Sequence, residues 1–275
     1  MPGLEDITYS REETTAAISG YYEFLIRMYL KDSQVVRPPA GGWPSIVNAD
    51  PEVVQSLGKT DEVLALLAHL PYIRSPGNWN DDAEAAPGCR FAEWPRLLTT
   101  LSSSNAITGE DMRAATEGFT FARLAPPHVV GLTRGDRENP IMVLDTKLGI
   151  IHWEDCISSI ERAHYGESVD YEPDDDVPEE EANWRYSARA WAIPDFFEIL
   201  KQQFRTLDWI PISHHTVLSA SDSEGTDEGG MVAMVQDIYR EHGWPDLTVY
   251  RKAACLEAVR IAMAERYPNS ACGRG

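Results

Sequence analysis

No stretch of this chain approaches the roughly 18 consecutive apolar residues that a membrane-crossing helix needs, so no helical span is expected and no membrane partner. The first ten residues, Met1 to Ser10, carry Glu5 and Asp6 and lack an apolar core. They read as neither a secretory signal nor a transit peptide. Cysteine is scarce: Cys89, Cys156, Cys255 and Cys272 stand far apart, with no CxxC or other metal-ligand spacing. That pattern reads as free thiols in a reducing, cytoplasmic compartment, with no metal site. Positive charge is short as well. The chain has 24 Lys and Arg against 44 Asp and Glu, a net charge of −20 at pH 7. Such a surplus repels phosphate backbones, which disfavours broad DNA or RNA binding while leaving room for a local basic patch. It also attracts cationic ligands, a guanidinium among them.

The familiar chemical motifs are missing too. There is no GxSxG elbow, P-loop, dinucleotide glycine fingerprint, HExxH or kinase set, so the standard hydrolase, NTPase and dehydrogenase readings lose support and no cofactor is expected. The stretch Gly131 to Gly135 has two glycines, but it runs from a strand into a turn with no helix to receive a phosphate, and so reads as a hairpin.

What is present fits a globular α+β fold. With 275 residues and 43% hydrophobic composition the chain can bury a sizeable core, and a single domain spanning 1–275 is expected. Helical spacing begins at residues 11–31, where Ile18, Tyr22, Leu25 and Tyr29 share a face and Ser10 with Glu13 offers a capping box. Asp50-Pro51-Glu52 opens a helix that stops at Gly58, and Thr60 caps another that Pro71 ends. Later helices are expected near 96–102, 109–117, from Pro194 through Phe204, and as a pair over 231–242 and 247–267.

The strand signals cluster in the middle: His128–Thr133, Ile141–Thr146 and Ile150–Glu154, a three-stranded antiparallel meander. The fold class is therefore α+β, a central antiparallel β-meander flanked by N-terminal and C-terminal helices. Two segments read as mobile surface. One is the acidic loop 167–181, with nine carboxylates and no Lys or Arg; the other is the Ser-, Asp- and Gly-rich linker 219–230. The acidic run lacks the ligand order of an EF-hand, so calcium is not expected.

Seven histidines are the natural candidates for a general base. His128 opens a strand after Pro126-Pro127, His152 lies two strands along in the same sheet, and His69 ends a helix, while His214-His215 reads as exposed. Among the carboxylates, Asp145 ends a strand beside a turn, which suits an Asx-turn or a ligand contact. Glu23 sits beside Tyr21 and Tyr22 on the first helix. Trp43, in a Pro- and Gly-rich loop, either plugs the edge of the core or stacks on a ligand.

Four segments of the first half, Tyr21-Tyr22-Glu23-Phe24-Leu25, Gly41-Gly42-Trp43-Pro44, Leu57 to Val63 and His69-Leu70-Pro71-Tyr72-Ile73, resemble a fungal family loosely grouped with the cell-wall-regulating Smi1/Knr4-like proteins. Pro126 to Val130, Leu144-Asp145-Thr146 and Tyr239 to Asp246 extend the resemblance over nearly the whole chain. Within that set the sequence looks most similar to the fungal arginine-containing cyclodipeptide synthases.

The resemblance implies an enzyme that joins an arginyl and a second aminoacyl group, both from aminoacyl-tRNAs, into a diketopiperazine. Its alternative is a non-catalytic Smi1/Knr4-like interaction module. The synthase chemistry needs no ATP site, because an aminoacyl ester is already activated. It needs two aminoacyl groups in attack geometry, a base for an α-amine, a donor for a tetrahedral oxyanion and carboxylates for a guanidinium. The expected site lies where the first helix, the Gly41–Pro44 loop and the Asp61–His69 helix meet the strand end at Asp145. His69 and His128 are its candidate bases; Glu23, Trp43, Asp61, Tyr72 and Asp145 are its substrate-binding residues.

Overall fold

Alternating β-branched runs in the middle of the chain pair into one antiparallel sheet, and its register fixes which side chains share a face. In the computed structural model, residues 1–74, 82–104, 106–118, 124–134, 139–170, 182, 185, 188–221 and 230–268 are described. Strands β3 (Val129–Gly131), β4 (Met142–Asp145), β5 (Ile150–Trp153) and β6 (Arg189–Ala192) are adjacent in that order. Two short strands, β1 (Val35–Val36) and β2 (Tyr72–Ile73), precede them. The first three members of the sheet are the expected meander, trimmed at the ends. The fourth is a difference. Arg189-Ala190-Trp191-Ala192 alternates, but two alanines and no β-branched residue give it little strand character, so pairing with β5 decides its conformation.

Val129 pairs with Asp145, Asp145 with Ile150, Val143 with His152 and His152 with Ala190. Directly paired residues face the same way and neighbours along a strand face oppositely. One face therefore carries Val129, Val143, Asp145, Ile150, His152 and Ala190. The other carries Leu144, Ile151, Trp153 and Trp191, all buried. Trp153 and Trp191 meet Phe196 at 6.0 and 6.3 Å between ring centroids. The first face is apolar at its two ends. Val129 and Val143 pack with Leu124, Ala125 and Ile141, while Ile150 and Ala190 pack with Val169, Leu4 and Ile7. Asp145 and His152 lie diagonally between those patches.

The described residues also form ten helices: α1 (Arg11–Met28), α2 (Pro44–Val47), α3 (Pro51–Leu57), α4 (Asp61–His69), α5 (Trp94–Ser103), α6 (Gly109–Glu117), α7 (Ser158–Ala163), α8 (Ile193–Thr206), α9 (Met231–Glu241) and α10 (Lys252–Arg266). Their ends follow from local chemistry. Asp50 accepts the Glu52 amide to start α3, and Gly58, at φ 68°, closes it in a left-handed conformation. The Thr60 hydroxyl accepts the Val63 amide at 3.3 Å to start α4. A hairpin of β7 (Trp209–Pro211) and β8 (Val217–Ser219) follows α8.

The chain divides into two compact units. The first holds Met1–Gly20, Val36–Ile73 and Cys89–Phe197; the second holds Tyr21–Val35, Arg74–Gly88 and Glu198–Gly275. Within the second, Phe24, Tyr29, Phe204, Trp209, Tyr239, Trp244 and Tyr250 form an aromatic core. The carbonyls ending α1, which a helix cannot satisfy itself, are capped from a distance. Tyr250 donates to Met28 at 3.0 Å, Lys252 to Ile26 at 2.7 Å and to Leu30, and His214 to Tyr29. His214 is thus half-buried, not the exposed residue its Ser-rich surroundings suggest.

Of the acidic segment 167–181, Ser168 and Val169 pack inward, and the Val169 amide donates to Ala190 at 2.9 Å. Residues 171–181, like 222–229 of the expected linker and Cys272, lie outside the described residues. Cys89, Cys156 and Cys255 are free thiols, and burial pushes Cys156 up to about 12 and Cys255 up to about 11. No described helix is long and apolar enough to cross a membrane.

Candidate functional site

Two of the expected residues meet at the edge of the sheet. Val129 and Asp145 are direct partners, so His128, one residue before Val129, lies beside the end of β4. Its Nε2 stands 3.6 Å from Asp145 Oδ2; the imidazole keeps 22% of its surface exposed, and the carboxylate has none. At that separation the contact is electrostatic rather than a hydrogen bond.

The His128 backbone is gripped by the turn after β4, since the Thr146 amide and hydroxyl donate to its carbonyl at 3.0 and 2.8 Å. On its other side the Thr60 amide donates to the Pro127 carbonyl at 3.0 Å. That bond brings the start of α4, with its exposed Asp61, to the loop that carries His128.

Asp145 is heavily engaged. Its Oδ1 accepts the amides of Lys147 and Leu148 at 2.8 and 2.9 Å, the Asx-turn anticipated for it. Its Oδ2 accepts from Arg185 at 3.1 Å, and that guanidinium is nearly sealed from solvent. His152 lies in the same interior with no exposed surface. Burial, and next the positive charge of Arg185, push its pKa down to about 3, which keeps the ring neutral.

The other expected residues fall elsewhere. Trp43 and Tyr72 pair with centroids 6.0 Å apart, and each is tied to backbone: Trp43 donates to Leu70 at 2.8 Å and Tyr72 to Leu67 at 2.6 Å. Tyr72 is buried and Trp43 half-buried, an arrangement that suits a core-edge plug. His69 is exposed, with Nδ1 2.8 Å from the Ala65 carbonyl one turn back. It ends the helix that Asp61 begins, roughly 12 Å along the axis from the His128 loop. Glu23 is exposed on the part of α1 that belongs to the second unit.

Arg185 was not singled out from sequence, and His152 was noted only as a member of the sheet. Glu154, just past β5, also has a perturbed titration: burial, and then Asp155 beside it, raise it to about 7. It follows the strand end opposite Ile150, the partner of Asp145, and so stands apart from His128. Among the described residues no group of three or more His, Cys, Asp or Glu could hold a metal ion. No family model, no curated protein and no solved structure matches this chain.

Proposed function

We propose that this chain is a tRNA-dependent cyclodipeptide synthase, joining arginine and a second amino acid from their aminoacyl-tRNAs, with His128 as its base. The observation that carries the reading is the part-exposed imidazole held beside a fully buried carboxylate. A base must reach the solvent-borne amine, and a fixed negative charge behind it stabilises the proton it takes. The resemblance of the chain supplies the reaction class. The α-amine of one aminoacyl group attacks the ester carbonyl of the other. His128 takes the amine proton as the C–N bond forms and returns it to the ribose hydroxyl that leaves. A second such attack within the dipeptidyl ester closes the ring, releasing two deacylated tRNAs and the diketopiperazine. Because Asp145 already binds Arg185, the substrate guanidinium falls to exposed carboxylates such as Asp61, adjacent to the Thr60 that holds Pro127.

A second reading, the non-catalytic Smi1/Knr4-like module, is favoured by the saturation of Asp145, whose two oxygens already accept three donors. One experiment separates the two. The protein is expressed in a bacterial host and the medium is analysed by mass spectrometry for arginine-containing cyclic dipeptides, beside His128→Gln checked for folding by circular dichroism. The synthase reading expects product from the native sequence and at least a hundredfold less from the variant, within the range typical of a lost general base. No product above the empty-vector control sinks the enzyme reading. A folded variant with more than about half the native turnover, under ~0.5 kcal/mol in barrier, removes His128 from the chemistry.

A further inference from the structure

Two charged side chains outside the site are sealed in the interior of the first unit. Lys59 Nζ lies 2.6 Å from Glu117 Oε1, and neither side chain has any exposed surface. Burial pushes both toward their neutral forms, lowering the lysine and raising the carboxyl, and their mutual attraction opposes it. Buried pairs of this kind often add little stability compared with apolar residues of the same volume, so a different contribution is worth seeking.

The surrounding contacts close into a ring. Lys59 precedes Thr60, whose amide holds the Pro127 carbonyl. From Pro127 the chain runs through His128 and Val129 to Gly131, the end of β3. Gly131 in turn abuts the backbone of Thr116, the residue before Glu117. Glu117 returns to Lys59. Glycine is required at the closing point: a Cβ on Gly131 would stand 2.0 Å from the Thr116 carbonyl oxygen, so α6 and β3 touch backbone to backbone. The ion pair thus joins the two ends of the Pro127–Gly131 segment, the first through α4 and the second through α6. His128 is inside that segment, with Asp145 as the charge facing its ring and Arg185 behind Asp145.

We infer that Lys59 and Glu117 are positioning residues for His128, a buried clamp that holds its imidazole at Asp145. This rests on the reading of His128 as the base, but the clamp itself is tested without turnover. The readout is the His128 ring signal followed by NMR against pH, in the native protein, in Glu117→Gln and in the double variant Lys59→Met/Glu117→Leu. The double variant replaces the pair by apolar groups of similar size and is the safer of the two for folding.

With the clamp cut, the ring drifts from Asp145. Its titration midpoint is expected to fall by at least about half a pH unit in both variants, because an opposite charge that recedes favours the imidazolium less. In the synthase assay kcat falls about tenfold with KM within twofold, the pattern of a misplaced base rather than lost substrate binding. An unchanged His128 midpoint in a folded double variant overturns the clamp, whatever the activity. A shifted midpoint in a protein that makes no cyclic dipeptide leaves the clamp standing and overturns the synthase.

Discussion

Replacing Gly131 by alanine tests the packing of α6 on β3. The added Cβ would lie 2.0 Å from the Thr116 carbonyl oxygen, 2.4 Å from its carbon and 2.7 Å from its Cβ. A carbon and an oxygen rest no closer than about 3.2 Å without bonding, so the helix end and the strand must separate by roughly 1 Å or more. The blocking atoms are backbone and cannot swing aside as a side chain would. Separation also stretches the 3.0 Å bond from Trp94 Nε1 to the Gly131 carbonyl and disturbs the buried Lys59–Glu117 pair. Overpacking of this kind costs about 1–3 kcal/mol, and an unyielding backbone neighbour places this site at the upper end. The expected loss is about 3 kcal/mol by urea titration followed through tryptophan fluorescence, or about 6–12 °C in Tm at this chain length. Gly166→Ala is the control, since nothing lies within 4 Å of its Cβ position. It should change stability by no more than about 0.5 kcal/mol. If Gly131→Ala loses less than about 1 kcal/mol, the backbone contact between α6 and β3 is wrong.

His152, with a pKa near 3 in the folded chain against an ordinary 6.5, excludes a proton that the unfolded chain accepts. Its contribution is therefore complete above about pH 6.5 and is lost as pH falls toward 3, amounting to about 2 kcal/mol at pH 5. His152→Leu removes that dependence, so from pH 7.5 to pH 5 it should gain about 2 kcal/mol relative to the native chain; a pH-independent difference refutes the burial. The raised titration of Glu154 acts with the opposite sign, being lost as pH rises toward 7, but it is common to both proteins and cancels. Lys252→Met strips two hydrogen bonds from the end of α1 and should cost about 1–3 kcal/mol, with faster amide exchange confined to the last turns of that helix. Unaltered exchange there argues against Lys252 as the cap.

Much of the scaffold is legible because it depends on neighbours in sequence. The caps at Asp50 and Thr60, the stop at Gly58 and the turn at Lys147-Leu148-Gly149 are local chemistry, and β3 to β5 follow from β-branched runs on either side of short connections. The pairing of His128 with Asp145 is legible for the same reason: adjacent antiparallel strands bring the start of one to the end of the next. Where distant segments decide, the signal disappears. Arg185, 40 residues from Asp145, follows the acidic run and has every local reason to be solvated, yet it is buried on that carboxylate. Lys59 and Glu117 look like surface charges at helix ends, and β6 is a strand because β5 offers it an edge. His69, attractive because it closes the helix that starts at Asp61, falls a helix length from His128 for the same simple reason.

The Asp145–Arg185 pair gives the two histidines of the sheet opposite surroundings. Asp145 accepts two turn amides and one guanidinium, so its carboxylate is held in place by hydrogen bonds as well as by the opposite charge beside it. Its Oδ2 stands beside His128, at the edge of the sheet, where the ring keeps part of its surface exposed. Arg185 acts on His152, in the interior, which has no exposed surface. Negative charge near an accessible imidazole favours taking a proton, while positive charge near a sealed one forbids it. One ion pair thus has a part-exposed ring against its carboxylate and, within the positive field of its guanidinium, a sealed ring that is held neutral. Reversing the order of these charges would set the positive charge beside the part-exposed ring and the negative charge beside the sealed one.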